Sequence, residues 1–294
     1  MNENKKTDIP IKTNISTTTN IPAITNIPTV MTIAGSDSGA GAGIQADLKT
    51  ISALGAYGTS VITAITAQNT CGVMGIHSIP LEMIEQQFLA LTSDFNVASI
   101  KTGMLQGIDV IDMVSKCIVA SKVENFVLDP VMIATSGDKL VFEDTVQALI
   151  SKLFPLAKVI TPNICEAEIL LGRKITNFEE MKKAAFDLLS FNSHSVLLKG
   201  GHLQFDSAEK NQKIFDILVV REQTFPIIFE NERISTNNIH GTGCSLSAAI
   251  ATFLAKGQNL ATAIKNSEDY IHKAIIAGAG LKLGKGNGPL WHFV

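Results

Sequence analysis

The residues best suited to chemistry fall in five short segments, each written as the end of an apolar strand running into a turn. Gly35-Ser-Asp-Ser-Gly-Ala-Gly-Ala-Gly43 is so rich in small side chains that its backbone N–H groups can approach a ligand closely and adopt positive φ. Taken alone it reads equally as a flexible loop or a dinucleotide-type turn, and the absence of Gly-Lys-Ser/Thr excludes a P-loop. His240-Gly-Thr-Gly-Cys-Ser245 opens an apolar helix. The amides of such a start converge on one point, and the helix dipole adds positive charge there, which suits phosphoryl oxygens. The same field is expected to lower the Cys244 thiol and make it a proton acceptor; the plainer reading is a glycine N-cap with a buried cysteine. In Thr161-Pro-Asn-Ile-Cys-Glu166, Asn163 and Glu166 stand three apart. That spacing serves either two oxygen donors for hydrated Mg2+ or a capping box. Val196-Leu-Leu-Lys-Gly-Gly-His202 puts Lys199 at a strand tip, aimed at phosphate or at solvent. Val127-Leu-Asp-Pro-Val131 does the same with Asp129, whose plainer role is to start a turn.

The elements that must hold these segments follow from apolar spacing. Val30–Ala34 is β-branched and short, and Ile44, Leu48, Ile51 and Leu54 then share one helical face. A second β-branched run covers 60–66. After it, predicted helices (81–91, 108–120, 146–153, 166–171, 181–189) alternate with predicted strands (98–101, 125–129, 158–161, 195–199). Two apolar helices, 245–254 and 260–276, close the chain, and runs 215–220 and 224–229 read as a hairpin. Alternation of this kind over some 250 residues predicts a mostly parallel sheet with helices on both faces and an antiparallel edge late in the chain. Ligands gather beyond the carboxyl ends of the strands of such a sheet, where all five segments lie.

The first 28 residues read differently. They are rich in Thr, Asn, Ile and Pro, repeat Thr-Asn-Ile three times, and lack helical period. They are expected to be a mobile tail, with 29–294 forming one domain. Over the whole chain, 46% apolar and 17% charged residues among 294 support a large core. A formal charge of −3 and only 6% aromatics argue against a nucleic-acid partner. No run reaches the roughly 18 apolar residues of a membrane span. Cys71, Cys117, Cys165 and Cys244 are scattered without CxxC or Cys/His spacing, so they read as reduced thiols of a cytoplasmic protein rather than a zinc site.

Several of these words, in this order, resemble the ribokinase-like small-molecule kinases. Within them the match is to the bifunctional hydroxymethylpyrimidine/phosphomethylpyrimidine kinases of thiamine biosynthesis. They are Ala34-Gly-Ser-Asp-Ser-Gly39, Gly43-Ile-Gln-Ala-Asp-Leu-Lys49, Ala53–Gly58, Thr63-Ala-Ile-Thr-Ala-Gln-Asn69, Lys101-Thr-Gly-Met-Leu105, Leu128–Met132, Ile160–Asn163, Leu198–His202, His240–Cys244 and Gly286–Pro289. The resemblance covers about nine tenths of the chain. It implies a three-layer αβα sandwich, ATP and Mg2+ as cofactors, a small-molecule pyrimidine as substrate, and a homodimer. Gly35, Asp37, Asp47, Gln68 and Met104 would form the pyrimidine pocket. Asp129, Thr242 and Lys199 would meet the nucleotide's phosphates, and Asn163, Glu166 and Asp129 would organise the metal. Gly241 and Gly243 would supply the anion hole, with Cys244 where most such kinases carry an aspartate base. Asn287 departs from the histidine common at that position.

Two rival functions follow. A pyridoxal kinase of the same fold acts on a similar hydroxymethyl heteroaromatic, and Gln68 with Met104 favour the pyrimidine. A dinucleotide-binding oxidoreductase would need an acidic residue near the end of the second strand, where this chain has Gln68 and Asn69.

Overall fold

A computed structural model describes residues 26–132, 143–201 and 212–294. Most of the expected tail, residues 1–25, lies outside the described residues, as does His202 of the fourth segment.

The chain runs β1 (Thr29–Asp37), α1 (Gly43–Ala53), β2 (Tyr57–Asn69), β3 (Gly72–Ser78), α2 (Leu81–Thr92), β4 (Val97–Thr102), α3 (Ile108–Ser121) and β5 (Phe126–Leu128). It continues through α4 (Glu143–Ala148), which widens into irregular helical turns to Leu156, then β6 (Val159–Ile160), α5 (Ile164–Leu171), α6 (Phe178–Leu188) and β7 (Ser195–Lys199). The last elements are β8 (Lys213–Val220), β9 (Ile227–Glu232), α7 (Thr242–Ala255) and α8 (Leu260–Gly278). The strands form one sheet in the order β3-β2-β1-β4-β5-β6-β7-β8-β9. From β2 to β7 neighbours are parallel; β3 at one margin and β8 and β9 at the other are antiparallel.

Side chains alternate across this sheet, as the pleat requires. Met31, Ile33, Phe126, Leu128, Val196 and Leu198 face one apolar cluster with α2 to α6. Val30, Val127, Val159 and Leu197 face the other, with α7 and α8. Both faces are covered, which is why the central strands read as continuous apolar runs rather than alternating ones. The expected three-layer αβα sandwich is therefore observed. The late hairpin is present as β8–β9. The antiparallel strand β3 was not anticipated: Gly72-Val-Met-Gly-Ile-His-Ser78 carries two glycines and is mostly exposed on both faces, so it has no apolar period to read.

Two irregularities in the sheet bear on function. Register slips between Ala34 and Ser36 in β1, and between Ala67 and Gln68 where β2 meets β3. Bulges of this kind re-aim side chains beside binding sites, and here they fall at Gly35 and Gln68.

Candidate functional site

β1 lies between β2 and β4, so the connections leave it in opposite directions and open a crevice at its carboxyl end. The loop leaving β1 is built around the Asp37 carboxylate. Oδ1 accepts the Gly39 N–H at 2.8 Å, and Oδ2 accepts those of Gly41 and Ala42 at 3.1 and 2.8 Å. His240 Nε2 lies 3.0 Å from the same Oδ2. Burial opposes ionisation of Asp37, but the bonds from His240, Ala42 and Gly39 outweigh it and hold the carboxyl below its usual range. Asp37 thus shapes the loop, and its own oxygens are taken up by it.

This loop interlocks with the one preceding α7. Gly241 has φ of 84°, and a Cβ there would overlap the Gly41 carbonyl oxygen. A Cβ at Gly41 would in turn strike the His240 ring. Only glycine permits either approach. α7 therefore starts with no side-chain cap. Among the described residues, the N–H groups of Gly243 and Cys244 have no acceptor. Thr242 differs from expectation: its N–H and its hydroxyl both donate to the Ile239 carbonyl, at 3.2 and 2.7 Å. The expected phosphate contact through Thr242 thus has no free donor to make it.

Beneath Gly243 lie the tips of β5 and β7. Lys199 Nζ donates to Asp129 Oδ1 at 3.2 Å, and Asp129 also accepts from Thr161 and Ser247. A Cβ on Gly243 would sit 3.3 Å from Lys199 Nζ, so the ammonium adjoins the two unpaired amides. Burial disfavours the charge on Lys199, yet Asp129 and Glu166 hold it above its ordinary value. Asn163 and Glu166 form the capping box of α5, with Asn163 N–H to Glu166 Oε2 at 2.8 Å and Glu166 N–H to Asn163 Oδ1 at 2.9 Å. Burial pushes Glu166 up to about 7, against the attraction of Lys199. Two buried carboxylates share one ammonium here, and their hard oxygens fit a magnesium ion that keeps most of its water.

Cys244 reverses an expectation. Burial pushes its thiol up to about 11, against the nearby Lys101 ammonium and a bond from the Gly43 N–H. Enclosure outweighs the field of the helix terminus, so the thiol is protonated at neutral pH. Asp47 is wholly buried, with Lys101 Nζ 2.8 Å from both its oxygens and the Thr32 hydroxyl donating at 2.6 Å. Burial works against the Lys101 charge, but Asp47 holds that ammonium above its usual value.

Gly35 and Met104 lie side by side, and Gln68 is tied to the same end of β1 through the Thr66 hydroxyl, which reaches both the Ser36 carbonyl and the Gln68 amide. A Cβ on Gly35 would strike the Met104 methyl, and Gln68 lies 3.4 Å from His240. The slot and the amide cup are therefore adjacent, joined by His240. His240 and Lys101 are not singled out by residue type and spacing in the sequence, although both lie inside the motifs. The signal for Lys101 was a charged side chain inside the otherwise buried β4, the same sign that drew attention to Lys199.

A family model for phosphomethylpyrimidine kinase matches residues 37–291. The chain belongs to that family. A hydroxymethylpyrimidine/phosphomethylpyrimidine kinase of Rhizobium meliloti is 47% identical over 90% of this chain and 96% of its own. The enzyme of the same name from Escherichia coli is 41% identical, over 90% and 96%. Among solved structures, an ADP complex of Bacillus subtilis pyridoxal kinase has a TM-score of 0.82 and 34% identity, covering 91% of this chain and 98% of its own. A phosphomethylpyrimidine kinase from Clostridium difficile has a TM-score of 0.73 and 40% identity, covering 85% and 100%. The phosphomethylpyrimidine kinase family and the ribokinase-like sandwich are thus those expected from the motifs.

Proposed function

We propose that this chain is an ATP-dependent kinase that phosphorylates 4-amino-5-hydroxymethyl-2-methylpyrimidine and then its monophosphate, in thiamine biosynthesis. The observation that carries the reading is the pair of unbonded amides at Gly243 and Cys244, beside Lys199 and linked to the Gln68 slot through His240. A cup of this kind receives the migrating phosphoryl group between an alcohol and ADP. In the transfer the bond from the γ-phosphorus to the ADP oxygen breaks and a bond to the alcohol oxygen forms. A loose transition state spreads charge over the equatorial oxygens, where fixed amides and an ammonium stabilise it. Little basicity is needed at the alcohol in such a state, which suits a protonated Cys244; as the new bond completes, the hydroxyl proton passes to an oxygen of the transferred phosphoryl group and from there to water. Asp129 and Glu166 would hold Mg2+, with Asn163 as cap of the same helix, and the ion would neutralise phosphate charge. Gly35, Gln68 and Met104 are assigned to the heterocycle, with Asp37 and Asp47 supporting from beneath.

A second reading, pyridoxal kinase, is favoured by the solved pyridoxal kinase with a TM-score of 0.82. A coupled ADP-release assay with the pyrimidine alcohol, its monophosphate and pyridoxal side by side separates the two. Turnover of both pyrimidines above pyridoxal supports the first; turnover of pyridoxal alone overturns it. No described helix is long and apolar enough to cross a membrane. The working unit is proposed to be a cytoplasmic homodimer, which light scattering at micromolar concentration checks.

A further inference from the structure

Among the described residues, His240 Nε2 faces Asp37 Oδ2 at 3.0 Å and the Gln68 amide nitrogen at 3.4 Å. Asp37 accepts three backbone N–H groups and is anionic. An anionic oxygen at this distance requires a hydrogen on Nε2. The Gln68 contact then sets two N–H donors against each other. The other edge of the same amide is also mismatched. Thr66 Oγ1 has a single hydrogen, yet lies 2.9 Å from the Ser36 carbonyl and 3.2 Å from Gln68 Oε1, two acceptors. Exchanging the two ends of the Gln68 amide removes the donor–donor contact and leaves the Thr66 hydrogen to Ser36 alone. Thr66 then accepts from Gln68, while the single His240 Nε2 hydrogen goes mainly to Asp37 and is shared, in a three-centre bond, with the Gln68 carbonyl.

We propose that the Asp37–His240 pair fixes the polarity of Gln68, holding its carbonyl inward so that the remaining amide hydrogen is presented to the substrate. The site then recognises a bare ring nitrogen that accepts a hydrogen bond, and rejects a ring nitrogen that carries a hydrogen. His240 is a positioning residue that acts through Gln68. The proposal rests on the kinase reading above and adds the chemistry by which the heterocycle is chosen.

Two measurements test it. In 15N-histidine-labelled wild-type protein, a long-range proton–nitrogen correlation at neutral pH is expected to show His240 Nε2 protonated. A bare, pyridine-type Nε2 would overturn the proposal whether or not the protein turns over. The second is a cycle of wild type, His240→Leu, Gln68→Ala and the double variant. Leucine at 240 is expected to raise KM for the pyrimidine alcohol about tenfold, as for one lost polar contact, with KM for ATP unchanged. His240→Gln, which keeps a donor near the Nε2 position, is expected to restore KM to within about threefold. In the Gln68→Ala background the leucine change is expected to add nothing. A full additional tenfold there, or no rescue by glutamine, would refute action through Gln68. Failure of the wild type to use any pyrimidine would instead sink the kinase reading and leave the proton assignment standing. If His240→Leu does not fold, the spectrum and the glutamine variant still decide.

Discussion

A methyl group at Gly241 would enter the Gly41 carbonyl oxygen on a backbone whose φ of 84° already disfavours any side chain. Gly241→Ala is therefore expected to push the two loops apart and lower kcat/KM by about 10²–10³-fold, the scale for losing anion-hole donors. Steady-state ADP release measures this, and a drop under threefold would contradict the interlock. Lys199→Ala and Gly243→Asp are expected to abolish turnover, since one removes the ammonium at the cup and the other puts a carboxylate in it. Cys244 behaves oppositely: with a thiol pushed up to about 11, Cys244→Ala is expected to retain activity within about tenfold. The pH profile of alkylation offers a direct check. Iodoacetamide should label exposed Cys71 well before Cys244 at pH 8, with labelling of Cys244 rising only at strongly alkaline pH. The glycines and Lys199 were legible in the sequence because few residue types fit a crowded turn or a charged strand tip. The thiol's state was not, because a helix start announces its field while the enclosure around Sγ depends on Asp47 and Lys101, far away in the chain.

The helices and strands are held in place by polar ties the sequence did not reveal. Lys101 on β4 and Asp47 on α1 form an ion pair with both side chains fully buried. Lys101→Met leaves a lone carboxylate inside and is expected to cost about 3–5 kcal/mol. Adding Asp47→Leu should recover much of that, as urea denaturation of the single and double variants would show. At the start of α7 the Ser245 hydroxyl pairs with His292 Nε2 at 2.9 Å, and the Tyr270 hydroxyl donates to the His292 carbonyl at 2.8 Å. Burial, with Lys49 nearby, pushes His292 down to about 4. The unfolded chain therefore takes up this proton first. The stability due to neutral His292 is complete above pH 6.5 and is lost as pH falls toward 4. Melting temperature should decline across pH 6.5–5 in the wild type and less so in His292→Gln, which can still accept from Ser245. Spacing did give Asn163 and Glu166 correctly as neighbours. It left open whether they cap a helix or hold a metal, since both uses need the same three-residue step. The widened turn after α4 and strand β3 were not legible, one lacking a clean period and the other lacking apolar residues.

Across the whole molecule the alternation of strand and helix made the sandwich readable, because a sheet covered on both faces can be built in few ways. Starting the chain at Thr29 is expected to leave kcat and KM unchanged within about twofold, since the site is assembled from residues 35–289. A loss beyond tenfold in the truncated protein would show that residues 1–28 take part. The most telling feature at this scale is the meeting of Gly41 with Gly241, and of Thr70 with the turn at 284–287, where the Thr70 carbonyl accepts the Asn287 N–H at 3.0 Å. One half of each meeting is made early in translation and the other only near its end. An unfinished chain on the ribosome thus lacks both clasps, and the crevice at the end of β1 takes its final shape only when synthesis is all but complete.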